Sequence, residues 1–334
     1  MGQLNELSKL EGWVPIKVYD RSGRPQLDWC YLGKLRFTDP FFNQTINYAA
    51  RTPANLLFRH QTDISALNSL PTGLRPNGFI FHVSRCGSTL VCQTLAALEE
   101  SIVISEAAVL DEAISSRKQS TYTPQLRREL FKGLINALGQ RRIGNEQRLF
   151  LKYDAWNIID FASIREVFPD VPWIFLYRDP VEVLVSQVDQ RGAHMIPGLV
   201  DPQWFGLDPA AAFTLKPVHY CALVLAALFE GGLQHYENGG LLVNYNQLPD
   251  AIETINRHFS FECTEAELHQ MRKATRRDAK NPALEFQNTR EEKKRNPPPE
   301  IREAANNGLY VIYERLEAAR IAQWEKLRIN SRAG

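Results

Sequence analysis

Residues 78–98, with the sequence GFIFHVSRCGSTLVCQTLAAL, constrain the fold more than any other segment. They contain an apolar run, then the polar cluster 84–89, then apolar residues at helical spacing, which together predict a strand, a turn and a helix. The first backbone N–H groups of such a helix are free to bind an anion, and Arg85, Ser88 and Thr89 add a guanidinium and two hydroxyls. The segment therefore predicts a phosphate-binding loop at the end of a strand.

This loop differs from the loop of the nucleoside triphosphatases. A loop of the form G-x-x-x-x-G-K-[ST] would place glycine at position 82 and lysine at position 88. The chain has His82 and Ser88 there, which argues against a loop that handles a γ-phosphate.

A second apolar run, residues 171–177, also leads into a polar turn and a helix. Asp179 is placed to cap that helix, and Pro180 suits its first position. Arg178 follows the strand directly, and Ser186 lies roughly two helical turns further on. An arginine and a serine could therefore bind a second phosphate.

In combination the two segments resemble the sulfotransferases that use 3′-phosphoadenosine 5′-phosphosulfate (PAPS), in the branch whose first loop reads R-x-G-[ST]-[ST]-L. The resemblance implies that this loop grips the 5′-phosphosulfate and that Arg178 and Ser186 bind the 3′-phosphate. It covers roughly residues 75–290 and does not identify an acceptor. The matching residues of the first loop are Arg85, Cys86, Gly87, Ser88, Thr89 and Leu90.

Three further positions agree with the spacing of the tyrosylprotein sulfotransferases. Glu106 ends the strand-like residues 102–104 and resembles the catalytic carboxylate of that branch. Lys152 ends the apolar run RLFLK and resembles the lysine that supports the transition state. Tyr245 resembles a tyrosine that leads toward the nucleotide.

Late basic residues are a further candidate for the 3′-phosphate, because sulfotransferases commonly use a late basic loop there. Arg276 and Lys280 are candidates by position alone.

Strand-like and helical segments alternate from residue 78 onward. Such alternation predicts an α/β fold with a central parallel sheet, helices on both of its faces, and ligands at the carboxyl ends of the strands. The strands are expected at residues 78–84, 102–106, 149–153, 173–177 and 241–245.

Three units are expected along the chain: a Pro- and aromatic-rich extension (1–72), the sulfotransferase-like domain (73–290) and a C-terminal helix (291–334). The amphipathic pattern 301–327 predicts that this helix packs on the domain or on a second subunit, so a homodimer remains an alternative. The aromatic residues of the extension are expected to pack it onto the domain, with a lid over the acceptor cleft as the alternative. They are Trp29, Tyr31, Phe37, Phe41 and Phe42.

The composition of the chain limits the classes of binding partner and the cellular location that we expect. The formal net charge of +1 over 334 residues argues against a broad nucleic-acid surface. No apolar run is long enough to span a membrane, the first residues lack a secretory signal, and the five cysteines are scattered, so we expect reduced thiols and a cytoplasmic protein. The seven histidines show no metal-binding spacing, and no metal is expected.

The resemblance implies transfer of a sulfuryl group from PAPS to a hydroxyl of a small-molecule or peptidyl acceptor, with 3′,5′-adenosine diphosphate as the product. Glu106 would take the acceptor proton, which calls for a pKa raised by burial. Lys152 and Arg85 would meet the charge on the departing phosphate. His82 and His194 are alternative bases.

Two other functions stay open. The first is a P-loop kinase or phosphotransferase, for which Asp154 and Asp179 are the available Mg²⁺ ligands. The second is a nucleotide-binding protein of the same fold without catalytic activity.

Overall fold

The computed structural model describes residues 10–21, 23–114, 122–275 and 297–333. The strands are β1 (Trp13–Arg21), β2 (Arg24–Tyr31), β3 (His60–Asp63), β4 (Pro76–His82), β5 (Ser101–Ser105), β6 (Arg148–Lys152), β7 (Trp173–Tyr177) and β8 (Gly240–Asn244).

The helices alternate with these strands. They are α1 (Phe42–Ala49), α2 (Pro53–Leu57), α3 (Ser65–Asn68), α4 (Ser88–Ala96), α5 (Ala108–Ile114), α6 (Pro124–Leu138), α7 (Phe161–Val167), α8 (Pro180–Asp189), α9 (Pro209–Thr214), α10 (Pro217–His235), α11 (Ile252–His258), α12 (Glu265–Thr275), α13 (Pro299–Asn306) and α14 (Leu309–Ala333). Short 3-10 helices span Ala155–Asp160, Ala193–Met195, Pro202–Phe205 and Tyr245–Gln247. Within the described ranges, no helix has the length and apolar character that a membrane crossing requires.

Strands β4 to β8 form one parallel sheet in the order β5-β6-β4-β7-β8, with helices on both of its faces. This confirms the expected α/β fold. The strand expected at residues 78–84 is observed at Pro76–His82, and the other four begin and end within one residue of the expected positions. Phe79, Ile80 and Phe81 in the central strand are fully buried, because a parallel strand covered on both faces has no solvent side.

The sheet order brings distant residues to one edge. Since β4 lies in the middle, the chain first builds β5 and β6 on one side and then β7 and β8 on the other. The residues that follow the carboxyl ends of all five strands therefore lie side by side, about 5 Å apart per strand. This reversal in strand order is where open α/β sheets form their ligand crevice.

Residues 13–63 contain a separate antiparallel sheet in the order β1-β2-β3, which packs against α5 and α6. Trp29, Phe37 and Phe42 are buried in the same hydrophobic core as the residues of the central sheet, as expected for residues that pack the segment onto the domain. Tyr31, by contrast, is 38% exposed. Phe41 is half-buried and lines a cleft at the carboxyl edge of the central sheet.

The expected single helix over residues 301–327 is wrong, because two helices, α13 and α14, occupy this region. Gly308 between them has a φ of +92°, a conformation that ends the first helix. The second helix covers the open edge of the sheet. The Gln323 side chain bonds the backbone of Leu242 (2.9 Å) and Gly240 (2.6 Å), and these contacts satisfy backbone groups that an edge strand would otherwise expose.

Candidate functional site

A cleft of about 750 Å³ lies at the carboxyl edge of the central sheet. This volume is in the range of small-molecule sites. Most of the predicted site residues line it, namely Arg85, Gly87, Ser88, Thr89, Leu90, Glu106, Arg178, Ser186 and Tyr245. Two predicted residues, Cys86 and Lys152, lie behind its surface. Arg276 and Lys280 lie outside the described residues.

The loop between β4 and α4 has an unusual backbone. Ser84, Arg85 and Gly87 all have positive φ values, of 65°, 53° and 84°. Successive residues of this kind turn their N–H groups toward one point, as anion-binding loops do. Helix α4 begins directly at Ser88, so its first N–H groups add to the same point.

Gly87 is required in this loop for two reasons. Its φ is left-handed, and a Cβ atom there would lie 2.8 Å from carbons of both Tyr245 and Leu248. The loop therefore packs tightly beneath the residues that follow β8. Cys86 points away from the cleft and its thiol donates to the carbonyl of Leu176 at 3.1 Å. Because burial raises the pKa of Cys86 to about 11, this thiol is unsuited to act as a nucleophile.

Arg85 faces the residues that follow helix α8. Its Nη2 atom donates to the carbonyl oxygen of Gln190 at 2.9 Å and to Oε1 of the same residue at 2.7 Å. Asp189 adds a favourable charge nearby. The guanidinium is thus held at the cleft but stays partly exposed.

Arg178 is buried and held from two sides. Its guanidinium donates through Nε to the Glu182 carboxylate at 2.5 Å and also forms an ion pair with it through Nη2. Its other face stacks on Tyr245, with 4.2 Å between the guanidinium carbon and the ring centre. As predicted, Asp179 caps the helix that carries Glu182 and Ser186, by accepting from Val181 N and Glu182 N. Ser186 is buried and also lines the cleft.

Glu106, Lys152 and His82 form a compact polar cluster across three neighbouring strands. Oε1 of Glu106 lies 2.8 Å from Lys152 Nζ and 3.2 Å from His82 Nε2. The Lys152 side chain is 0% exposed, whereas that of Glu106 is 23% exposed, so only the carboxylate reaches the cleft. Glu106 has a φ of +55°, an uncommon value for a residue with a Cβ. Such a backbone is found mainly where the surroundings demand it, as at functional sites.

The hydrogen bonds of His82 fix its protonation. The backbone N–H of Ser84 donates to His82 Nδ1 at 2.9 Å, so Nδ1 is an acceptor. Burial lowers the pKa of His82 below its usual value, and the ring is therefore neutral at pH 7. Its one proton then sits on Nε2 and is donated to Glu106.

Contrary to expectation, the pKa of Glu106 is not raised. Burial would raise it, but the charge of Lys152 and the hydrogen bond from His82 outweigh burial and hold the pKa of Glu106 well below its usual range. Burial likewise opposes the charge of Lys152, but the Glu106 carboxylate holds the pKa of this lysine above its usual value. The pair is therefore ionised at neutral pH.

Several cleft residues were not predicted as site residues from the sequence, although Phe41 belonged to the lid that was the alternative for the N-terminal aromatic residues. Phe41 and Gln44 come from the N-terminal segment, and the Phe41 ring centre lies 4.9 Å from Lys152 Nζ. Trp156 lies beside His194, and Gln190 bonds Arg85. Of these residues, only Gln190 could have been found from the sequence, because it belongs to a polar run, 189–192, that directly follows a helix predicted at the cleft. Among the residues that the structure describes, no group of three or more histidine, cysteine or acidic side chains is placed to hold a metal ion.

Comparisons with known proteins concern the fold. No protein-family model matches the chain, and no curated protein is significantly similar to it in sequence. Solved structures of similar fold include a sulfotransferase from Alicyclobacillus acidocaldarius, with 13% identity, a TM-score of 0.41, and coverage of 74% of this chain and 96% of that one.

Two further matches are a sulfotransferase domain of the curacin biosynthetic pathway and the sulfotransferase STF9 from Mycobacterium avium. The first has 13% identity, a TM-score of 0.43 and coverage of 70% of this chain and 98% of that one. The second has 14% identity, a TM-score of 0.43, and coverage of 74% of this chain and 79% of that one. With TM-scores below 0.5 and identities of 13–14%, these similarities carry no conclusion about what this chain does.

Proposed function

We propose that the protein is a sulfotransferase that moves a sulfuryl group from PAPS to a hydroxyl of an acceptor. The observation that carries this proposal is that one cleft is lined by arginine side chains from two different strand ends and by an ionised carboxylate. Arg85 with the 84–89 loop forms the first cationic group, and Arg178 with Ser186 forms the second. Cationic groups that follow two different strands suit a nucleotide with phosphates at both its 5′ and 3′ positions better than a single triphosphate chain.

The donors present fit such a nucleotide. The loop N–H groups, the Ser88 hydroxyl and Arg85 would hold the 5′-phosphosulfate, and Arg178 and Ser186 the 3′-phosphate. Tyr245, which stacks on Arg178, keeps that guanidinium in place. PAPS would supply an activated sulfuryl group, which goes to the acceptor oxygen as 3′,5′-adenosine diphosphate leaves.

Glu106 would bind the acceptor hydroxyl. Because Lys152 and His82 both contact Oε1, the other oxygen, Oε2, remains to accept a hydrogen bond from that hydroxyl. With a lowered pKa, Glu106 is a weak base toward a resting alcohol, so it would orient the hydroxyl first. It would receive the proton on Oε2 only as the acceptor oxygen bonds to sulfur and becomes strongly acidic.

Proton transfer to Glu106 would also change the charge behind it. Once the carboxylate is neutral, the buried ammonium of Lys152 has lost its counter-ion. Its positive charge then favours negative charge that develops elsewhere in the cleft, on the side of the departing phosphate. Lys152 would thus act at a distance, from behind Glu106.

Nucleotide preference tests the donor site. At about 100 times its Kd, 3′,5′-adenosine diphosphate should stabilise the fold by about 2.7 kcal/mol without Mg²⁺, and adenosine 5′-phosphate should bind at least about tenfold more weakly. Arg178→Ala would leave the Glu182 carboxylate buried and unpaired, so the cleaner variants are Ser186→Ala and the double variant Arg178→Gln/Glu182→Gln. Both should reduce the preference for the 3′-phosphate, and Arg128→Gln, at an exposed ion pair, is the control.

Product formation tests the reaction. Labelled PAPS with a panel of phenols, alcohols, sugars and tyrosyl peptides should give a sulfated product, and Glu106→Gln should lower turnover by ~10²–10⁴-fold without weakening the binding of 3′,5′-adenosine diphosphate. Stronger stabilisation by ATP with Mg²⁺ than by the 3′,5′-diphosphate would instead favour a kinase. Binding of the diphosphate without any turnover would favour a nucleotide-binding protein.

A further inference from the structure

His194 has an unpartnered ring nitrogen in the wall of the cleft. The residue is 4% exposed, and its Nε2 atom is buried without a hydrogen-bond partner in the part of the chain that the structure describes. Buried polar atoms of native proteins nearly always have partners, because an unsatisfied one lowers the stability of the fold. Because His194 lines the cleft, a bound molecule could supply the partner that this nitrogen lacks.

The ring is held in place by its neighbours. It lies 5.6 Å from the ring of Trp156, centre to centre. The Trp156 indole N–H donates to Asp111 Oδ1 at 2.7 Å, and Asn157 donates to the same oxygen at 2.8 Å. Asp111 thus anchors the polar end of the indole, and the half-buried remainder of Trp156 forms an apolar wall of the cleft.

The neutral state of His194 favours a neutral ligand group. Burial and the neighbouring His82 lower the pKa of His194 to about 4, so the ring is uncharged at neutral pH. The carboxylate of Glu106 acts on the same ring and Asp154 lines the same cleft. Since the ring is neutral and Glu106 is already paired with Lys152, His194 suits an uncharged hydroxyl, which can either donate to the ring or accept from it.

We propose that His194 and Trp156 form the acceptor subsite, and that it takes an uncharged aromatic compound with a second hydroxyl beside the one that reacts. This inference rests on the proposed function, since it assigns the reacting hydroxyl to Glu106. The aromatic ring packs against Trp156, the first hydroxyl binds Glu106, and the second hydroxyl binds Nε2 of His194. Phe41 lines the same cleft from the N-terminal segment, with its ring centre 4.9 Å from Lys152 Nζ.

Catechol and phenol are a matched pair of probes that differ by the second hydroxyl. Their dissociation constants are measured by ligand-detected NMR, with and without 3′,5′-adenosine diphosphate, so that no turnover is needed. The protein should bind catechol about tenfold more tightly than phenol, the difference expected for one additional buried hydrogen bond. His194→Phe keeps a flat ring but has no nitrogen, and it should weaken catechol binding to the level of phenol while phenol binding stays within about twofold.

Two further variants separate recognition from folding. His194→Gln replaces Nε2 by an amide and should keep most of the preference for catechol. His258→Phe changes another histidine, whose Nε2 lies 2.9 Å from the carbonyl of Trp173, and it should affect stability but not the ratio of the two affinities. If His194→Phe does not fold, equal affinities for the two probes in the unmodified protein still overturn the subsite.

The outcomes distinguish this inference from the proposed function. Equal affinities for the two probes in the unmodified protein, or an equal loss of both in His194→Phe, would overturn the subsite. A preference for catechol that depends on His194 supports it, even if 3′,5′-adenosine diphosphate does not bind. In that case only the assignment of the sulfuryl donor fails.

Discussion

The contact between Glu106 and Lys152 gives a quantitative prediction about stability. Glu106→Gln removes the charge that compensates the Lys152 ammonium, 2.8 Å away. The lysine side chain is 0% exposed and has no other charged partner within salt-bridge distance among the described residues. Its charge therefore cannot be solvated without a rearrangement of the sheet edge.

The expected loss of stability depends on how exposed the Lys152 and Glu106 side chains are. Removing one partner of a buried ion pair costs about 3–5 kcal/mol, and the lower end applies here because glutamine still accepts a hydrogen bond from Nζ. We therefore expect Glu106→Gln to lower the free energy of unfolding by about 3 kcal/mol. Lys152→Met should cost less, about 1–2 kcal/mol, because Glu106 is 23% exposed and keeps its hydrogen bond from His82. The double variant has no buried charge and should lie within about 1 kcal/mol of the unmodified protein.

Urea denaturation of the four proteins at pH 7 measures this cycle, with the midpoint read at constant m-value. The matched control is the ion pair between Arg128 and Glu166, whose side chains are 42% and 55% exposed. Glu166→Gln should change stability by less than about 0.5 kcal/mol. The reasoning fails if Glu106→Gln is no less stable than Glu166→Gln, or if the two single-variant losses simply add in the double variant.

Two further predictions concern the loop and the acceptor subsite. Gly87→Ala places a Cβ 2.8 Å from carbons of Tyr245 and Leu248 at a φ of +84°. It should destabilise the fold by about 1–3 kcal/mol and abolish the thermal shift that 3′,5′-adenosine diphosphate causes. An unchanged shift would contradict the role of the loop in binding. Folding lowers the pKa of His194 from 6.5 to about 4. Between pH 6.5 and 4 the unfolded chain therefore binds a proton at this residue that the folded chain does not, so the free energy of unfolding falls as the pH falls. His194→Phe should flatten this decline by up to about 1.4 kcal/mol per pH unit, measured by urea denaturation between pH 7 and 4.5, and parallel curves would show that His194 does not stay neutral.

The sequence by itself determined the local units of the site. An apolar run, a polar turn and amphipathic spacing are local properties, so the strand–loop–helix around Arg85 and the capped helix after Arg178 were predictable to within one or two residues. Asp179 and Pro180 specify the start of helix α8 through short-range hydrogen bonds and a fixed backbone angle. Strand ends were equally readable, and they carry Glu106, Lys152 and Tyr245.

Only the tertiary structure decided how these units meet. Glu106, Lys152 and His82 are far apart in the chain and touch because β6 lies between β5 and β4, an order that no local pattern encodes. The same contact reversed the expected pKa of Glu106, since burial alone would raise it and only the position of Lys152 lowers it.

The acceptor side of the cleft depended even more on long-range packing. His194 and Trp156 lie in loops with no repeating pattern, and Phe41 arrives from the N-terminal segment. Hydrophobic periodicity tells which face of an element is buried, but not which other element covers it. Which element covers which depends on the packing of the whole chain. The proposed phosphate loops could therefore be predicted from the sequence, whereas the subsite around His194 could not.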